Sequence, residues 1–462
     1  MKKTLSAILV VFIILSGLSI TSINAANYNV SDGILYSYYG SDKSFTVPTG
    51  VVYIADSAFE GNTSLESVNL GSVEIIGSKA FSGCKNLKTV TSGKVSHVGA
   101  KAFDGTPYYN NATANLILGS VLIKGVSTGN FTVPAGVTSL SAYCFAGNTG
   151  ITSVTLGSNV LEIGEGAFYK CTSLATLNVS SSVSNIGAFA FDGTKWLSSQ
   201  TSEFVTLGNG ILIKYNGTKT AISVPSTVHQ IADGAFYENK TAKSVVLPEG
   251  VTSLGMRAFG NNSALESVNF PKSLVSIGKE AFLNCTSLKS VTVPGTVRLV
   301  GESAFLGCTK ITEAEYFSSA EIPNGLFAGC TSLKYVWIAG AAKSIGAYSF
   351  YNCSSLLEIS VPDSVKSIDT TAFSGAKKVT AYLNDGTFAY DRLELMGVNV
   401  SKMGDANLDS KINVVDATHM QKATAKIISM NISEKLRGDT DFSGDINVKD
   451  VTNVQKIVAG II

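Results

Sequence analysis

Val251-Thr-Ser-Leu-Gly-Met-Arg-Ala-Phe-Gly-Asn-Asn-Ser-Ala-Leu-Glu-Ser-Val-Asn-Phe-Pro271 is followed, after Lys272 and Ser273, by Leu274-Val-Ser-Ile-Gly-Lys-Glu-Ala-Phe-Leu-Asn-Cys-Thr-Ser-Leu-Lys-Ser-Val-Thr-Val-Pro294. Apolar residues, a glycine, an Ala-Phe pair and a closing proline return in step. Working outward, Phe59, Phe81, Phe103, Phe145, Phe168, Phe191, Phe236, Phe259, Phe282, Phe305, Phe327, Phe350 and Phe373 recur at spacings of 22 or 23, with two longer gaps of 42 and 45. A unit this short cannot bury its apolar face alone, so neighbours must stack and share one core. The period predicts one elongated solenoid where a length of 462 residues would otherwise suggest about three globules.

Composition agrees. Charged residues make up 15%, hydrophobic residues 45%, and 44 glycines stand against nine prolines. This is too apolar for a disordered chain and too punctuated by glycine for a helical bundle. A net charge of +1 excludes a nucleic-acid binder that lives on phosphate contacts. Met1-Lys2-Lys3, the apolar run Leu5 to Leu15 and Ala25 read as a secretory signal peptide over 1–25, too short for the roughly 20 residues of a membrane span. Its removal takes the net charge from +1 to about −1.

With its Ala-Phe, Cys-x-x-Leu and Val-x-x-Ile-Gly elements, the pattern resembles the BspA-like leucine-rich repeats of secreted and surface bacterial proteins. The resemblance covers roughly residues 30 to 385 and implies a β-rich solenoid used in adhesion or protein binding. The two long gaps share wording, Asp104-Gly-Thr-Pro-Tyr108 with Leu118-Gly-Ser-Val-Leu-Ile-Lys124, and Asp192-Gly-Thr-Lys-Trp196 with Leu207-Gly-Asn-Gly-Ile-Leu-Ile-Lys214. Each reads as a variant repeat containing a hairpin, and Gly33-Ile-Leu-Tyr36 as a capping version.

Six of the seven cysteines, Cys84, Cys171, Cys285, Cys308, Cys330 and Cys353, fall three residues after a marker Phe, where other copies carry Asn62, Asn148, Asn239, Asn262, Thr106 or Thr194. A place shared by Cys, Asn and Thr wants a small hydrogen-bonding side chain in a turn, so buried free thiols are expected. Stacked neighbours such as Cys285 and Cys308 leave an occasional bridge open.

Eight and ten residues after each marker Phe, side chains should face outward on one sheet. These pairs are Ser67/Asn69, Thr89/Thr91, Ser153/Thr155, Thr176/Asn178, Ser244/Val246, Ser267/Asn269 and Ser290/Thr292, followed by Glu313/Glu315, Tyr335/Trp337 and Glu358/Ser360. Glu313, Glu315, Tyr335, Trp337 and Glu358 thus form a candidate ligand face, aromatic rings flanked by carboxylates suited to a sugar or a peptide. The bland alternative is an aromatic pair covering the end of an array. A flat sheet offers no pocket to raise one acid's pKa, so no glycosidase is expected there. His97, His229 and His419 are the only histidines and fall in different regions, and His97 and His229 fall at repeat positions and not in a cleft. No nucleophile elbow or phosphate loop is present.

Past Leu393 to Met403, read as a linker, composition shifts to Asp and Asn. Asp405, Asn407, Asp409, Asn413 and Asp416 take loop positions 1, 3, 5, 9 and 12, and Asp439, Asp441, Ser443, Asn447 and Asp450 repeat them 34 residues later. Calcium takes six to eight oxygens at about 2.3–2.6 Å, which suits these side chains with main-chain carbonyls from Lys411 and Asp445 at position 7. Ile412 and Ile446 would pair the loops. Ser410 stands where a glycine normally eases the turn. Amphipathic helices are expected over Val415 to Lys426 and Lys449 to Val458, with no helix before either loop.

Two loop–helix copies over Gly404 to Ile462 resemble a type I dockerin. The resemblance implies a module that folds on two calcium ions and binds the cohesin domain of a cellulosome scaffoldin. It places recognition on Val414, Val415, Gln421 and Lys422, and on Val448, Lys449, Gln455 and Lys456. The likeness of the copies implies docking in either of two orientations.

The expected protein is α+β: a signal peptide (1–25), a leucine-rich-repeat solenoid of 22–23-residue repeats (26–392), a linker (393–403) and a small all-α calcium-binding dockerin (404–462). The expected function is a secreted, non-catalytic, cellulosome-associated subunit. Its array would bind a protein or a cell-wall polysaccharide. An enzyme of polysaccharide catabolism with an unrecognised site, or a plain spacer, are the alternatives.

Overall fold

A computed structural model describes residues 23–25, 27–91 and 93–461. The expected leader, 1–25, falls almost wholly outside the described residues. The described residues form two compact units, one up to 202 with 207–211 and the other 203–206 with those from 212 onward.

Both units are built from the same repeat. Each copy gives a two-residue strand before the marker Phe and a slightly longer strand after it, and each strand pairs in parallel with its equivalent in the next copy. Ser253–Leu254 lies beside Ser276–Ile277, as Ser244–Val246 lies beside Ser267–Val268. Alternation decides the faces: along Ser290–Val293, Val291 and Val293 point inward while Ser290 and Thr292 are exposed. The glycine of the Ile-Gly element has a packing reason. A Cβ on Gly278 would lie 2.5 Å from the Gly255 carbonyl carbon of the copy below.

The marker phenylalanines form the core. Phe259, Phe282 and Phe305 are fully buried, with centroids 5.1 and 5.3 Å apart and planes within 9°. In the first unit the stacks end on a ring set edge-on, Tyr108 against Phe103 at 65° and Trp196 against Phe191 at 63°. This is what the Thr-Pro-Tyr and Thr-Lys-Trp words encode. Thr106 and Thr194 cap the short helices α1 (Pro107–Asn110) and α2 (Lys195–Ser198) that carry those rings. The expected hairpins follow, Leu116–Leu118 antiparallel to Val121–Lys124 and Phe204–Leu207 beside Ile211–Tyr215.

The shared Cys/Asn/Thr place works as a hydrogen-bonding turn position. All seven cysteines are free and buried. Cys285 Sγ donates to Phe259 O at 3.0 Å, whereas Asn62 Nδ2 donates to Gly40 O at 2.9 Å and its Oδ1 accepts from Leu65 N. Burial pushes the Cys84 thiol up to about 11 and the Cys353 thiol up to about 12.

The C-terminal end departs from the expected linker. Helix α3 (Phe388–Leu395) is capped by Thr387, and Asn399–Lys402 is a strand paired with Thr380–Leu383. The repeat sheet therefore runs directly into the loops. Helices α4 (Val414–Thr424) and α6 (Val448–Val458) follow the loops as expected. A third, α5 (Ile432–Gly438), was not expected and leads straight into the second loop. Its signal was legible, since Asn431 and Glu434 form a capping box. Among the described residues no helix is long and apolar enough to cross a membrane.

Candidate functional site

Each loop is closed by the cap of its following helix. Asn413 and Asn447 are N-caps, and Asp416 and Asp450 complete capping boxes at N3. Asp416 Oδ1 and Oδ2 accept from Asn407 N at 3.1 Å and Asn413 N at 2.8 Å. Asp450 does the same with Asp441 N at 3.2 Å and Asn447 N at 3.0 Å. At position 1, Asp405 accepts from Ser410 N at 3.2 Å and Asp439 from Gly444 N at 3.0 Å. Ser410 takes φ 68°, the left-handed turn that Gly444 takes at 89°, so the missing glycine costs about 1 kcal/mol there. Ile412 and Ile446 pack into one cluster with Met420, Val451 and Val454, which joins the loops.

The loops are not equivalent. In the second, carboxylate oxygens of Asp439, Asp441 and Asp450 lie within 4.8 Å of one another. Burial raises Asp439 to about 7, against the opposing Gly444 N–H, and also raises Asp450. Burial would raise Asp441 too, but the Lys449 ammonium at 2.9 Å prevails and holds it below its ordinary value. Ser443 and Asn447 join the loop through Ser443 Oγ, while Asp445 is exposed and offers its carbonyl. In the first loop Asp405 pairs with Arg437 at 2.7 Å, and its other oxygen is buried without a hydrogen-bond partner. Asn407 and Asp409 bond each other, and Lys411 is exposed. The donor set, an acid triad with Asp439 and Asp450 buried and an orphaned buried carboxylate oxygen fit a hard dication.

The residues expected to recognise a partner, Val414, Val415, Gln421, Lys422, Val448, Lys449, Gln455 and Lys456, are all exposed. Val448 is 73% exposed and Val414 62%.

The expected ligand face is different. The register runs as expected through Ser290, Glu313, Tyr335 and Glu358, and the column continues beyond the expected repeats into Thr380 and Asn399. Trp337, however, is 3% exposed, because α5 and the second loop lie over it. Trp337 Nε1 donates to Asp439 Oδ2 at 3.0 Å, and Glu358 is held by Arg437 at 2.6 Å and by the Ser433 hydroxyl. Phe317, Tyr382, Leu436 and Phe442 complete the apolar contact. Only Glu313 stays exposed, with Glu315 and Tyr335 half-buried. The open aromatic face is corrected to an internal interface.

The histidines also need one correction. His97 does line a cleft in the first unit, with Tyr53, Ser139 and Glu162. Its Nδ1 lies 3.8 Å from Glu162 Oε2, the same oxygen to which Ser139 donates at 3.5 Å. Both turn to the acid, which is not the order a serine nucleophile needs. His229 is exposed, and His419 lies 3.2 Å from Glu434.

A family model described as a BspA type leucine-rich repeat region matches residues 29–118, 117–211, 213–334, 262–380 and 320–447. Among solved structures, a leucine-rich repeat protein from Bacteroides ovatus is 21% identical over 79% of this chain and 85% of its own, with a TM-score of 0.32. The pneumococcal vaccine antigen PcpA is 19% identical over 83% and 97%, with a TM-score of 0.33. A leucine-rich cell surface protein from Faecalibacterium prausnitzii is 23% identical over 82% and 98%, with a TM-score of 0.26. No curated protein matches the chain.

Proposed function

The chain belongs to the BspA-type leucine-rich repeat family, and from that premise we propose that it is an exported, non-catalytic binding protein whose C-terminal module takes two calcium ions and attaches it to a cohesin. The observation that carries this is the duplicated loop, closed by an Asn-Asp capping box in each copy and drawing Asp439, Asp441 and Asp450 together in the second. Asp405, Asn407, Asp409, Lys411, Asn413 and Asp416 would hold one ion. Asp439, Asp441, Ser443, Asp445, Asn447 and Asp450 would hold the other. Bound calcium would supply the positive charge that offsets the gathered carboxylates, and the loops would supply its oxygen ligands.

Exposure of Val414 and Val415 at one helix start and of Val448 and Lys449 at the other supports a partner that reads them, in either of two orientations. Buried anchors at the centre of such a contact would be the valines, with Gln421, Lys422, Gln455 and Lys456 at its rim. Such a partner would make the protein a cellulosome component. The array would present a protein or cell-wall polysaccharide ligand on its polar outward columns, since Trp337 is already covered. That covering also favours a second reading, in which the array is a spacer.

Calorimetric titration with calcium and capture on a cohesin panel test the proposal. Binding of two ions, and loss of cohesin capture in Asp405→Ala and Asp439→Ala chains, are expected. Capture that survives both substitutions, or an absence of calcium binding, would overturn it.

A further inference from the structure

Two polar links tie the repeat sheet to the C-terminal module, and each ends on the first carboxylate of a loop. Asp439 Oδ2 accepts from Trp337 Nε1 at 3.0 Å and from Gly444 N at 3.0 Å. Asp405 Oδ2 accepts from Arg437 Nη1 at 2.7 Å, and Arg437 Nη2 donates to Glu358 Oε1 at 2.6 Å. The Arg437 guanidinium also lies 4.6 Å from the Tyr382 ring centroid. Around these links, Trp337, Ala339 and Tyr382 close on Met403, Leu436 and Phe442.

This arrangement puts charge under an apolar cover. Three carboxylates within 4.8 Å repel one another more strongly once solvent is excluded from above them. A bound dication reverses the sign of that interaction, and the benefit grows with the same loss of solvent. An undocked module would leave Asp405 and Asp439 in water, without the indole and the Arg437–Glu358 bridge that orient them. Docked and undocked forms therefore differ in their affinity for a dication, and by linkage the dication shifts the balance between them.

We propose that docking of residues 404–461 on the Trp337 and Glu358 face is calcium-linked. The array is the outer support of both loops, and Trp337 and Glu358 are its positioning residues. Calcium loading holds the module on the sheet, and calcium removal frees the aromatic face. The proposal rests on the calcium reading above and adds to it the coupling to the array.

The chain carries its own reporter. Its two tryptophans are Trp337 and Trp196, the latter buried in the other unit. Tryptophan emission and acrylamide quenching of the full chain would be read in calcium chloride and in chelator, with calcium affinity measured in parallel by calorimetry. Calcium removal is expected to move the emission to the red and to increase quenching, and Trp337→Phe to abolish that change. Trp337→Phe keeps an aromatic ring but drops the N–H, and Glu358→Gln drops the charge that holds Arg437. Each is expected to weaken calcium binding roughly tenfold. Calcium binding with unchanged emission, unchanged quenching and unaltered affinity in both variants would overturn the coupling while leaving the calcium reading standing. Failure to bind calcium at all would overturn both. If Trp337→Phe does not fold, the spectra of the parent chain and the affinity of Glu358→Gln decide the matter.

Discussion

Trp337 Nε1 donates to Asp439 Oδ2 at 3.0 Å, joining residues 102 positions apart and putting a repeat side chain on a loop carboxylate. Beside it, Arg437 is only 14% exposed and Glu358 only 13%. An ion pair this enclosed is costly to break on one side, because the partner charge remains buried.

Glu358→Ala should therefore lower the stability of the second unit by about 3 kcal/mol, since Arg437 and Ser433 both lose an acceptor. Urea unfolding followed by circular dichroism measures this. A loss below a few tenths of a kcal/mol would mean that solvent reaches the pair freely.

Phe282→Ala should cost about 4 kcal/mol, because the ring is fully buried between Phe259 and Phe305. Phe282→Leu should recover much of that loss. Thermal unfolding of the two variants compares them, and equal melting temperatures would argue against a close-packed stack.

All seven thiols should be silent toward a disulfide reagent at mildly alkaline pH in the native chain. Only the thiolate reacts, and burial pushes Cys84 and Cys171 up to about 11. Denaturant should release all of them together. Rapid labelling of native protein would place cysteines at the surface instead.

In the first unit, the His97 imidazole beside Glu162 holds its carboxyl below the ordinary pKa, against the opposing effect of burial. A carboxylate with a depressed folded pKa contributes stability that is present above its unfolded value, about 4.3, and is lost as pH falls through the lower folded value. Glu162→Gln should thus cost about 1 kcal/mol near neutrality and nothing once the solution is acidic enough to protonate the parent residue. Melting curves from pH 7 down to about 3 would show the two chains converging. A constant gap would assign the loss to packing.

The repeat was legible because its contacts are periodic. A residue and its equivalent 22 or 23 positions on touch each other, so one template orders the Phe stack, the Ile-Gly backbone approach and the outward columns at once. The duplicated acidic loops were legible for a related reason, since alternating Asp and Asn and the cap that follows them lie within twelve residues. Helix α5 could have been read from Asn431 and Glu434, and was obscured by its short length. The cleft at His97 was hidden because Glu162 and Ser139 come from repeats beyond the first hairpin.

The sequence by itself thus determined the stacking unit, its inward and outward faces, the buried turn cysteines and the spacing of the two acidic loops, all of which follow from local or periodic spacing. Only the tertiary structure decided that Asn399–Lys402 carries the sheet into the module and that Trp337 is covered. The physical reason is that docking joins Trp337, Glu358 and Tyr382 to Arg437, Asp439 and Phe442 through shape and charge across two different local patterns. Neither pattern carries information about the other.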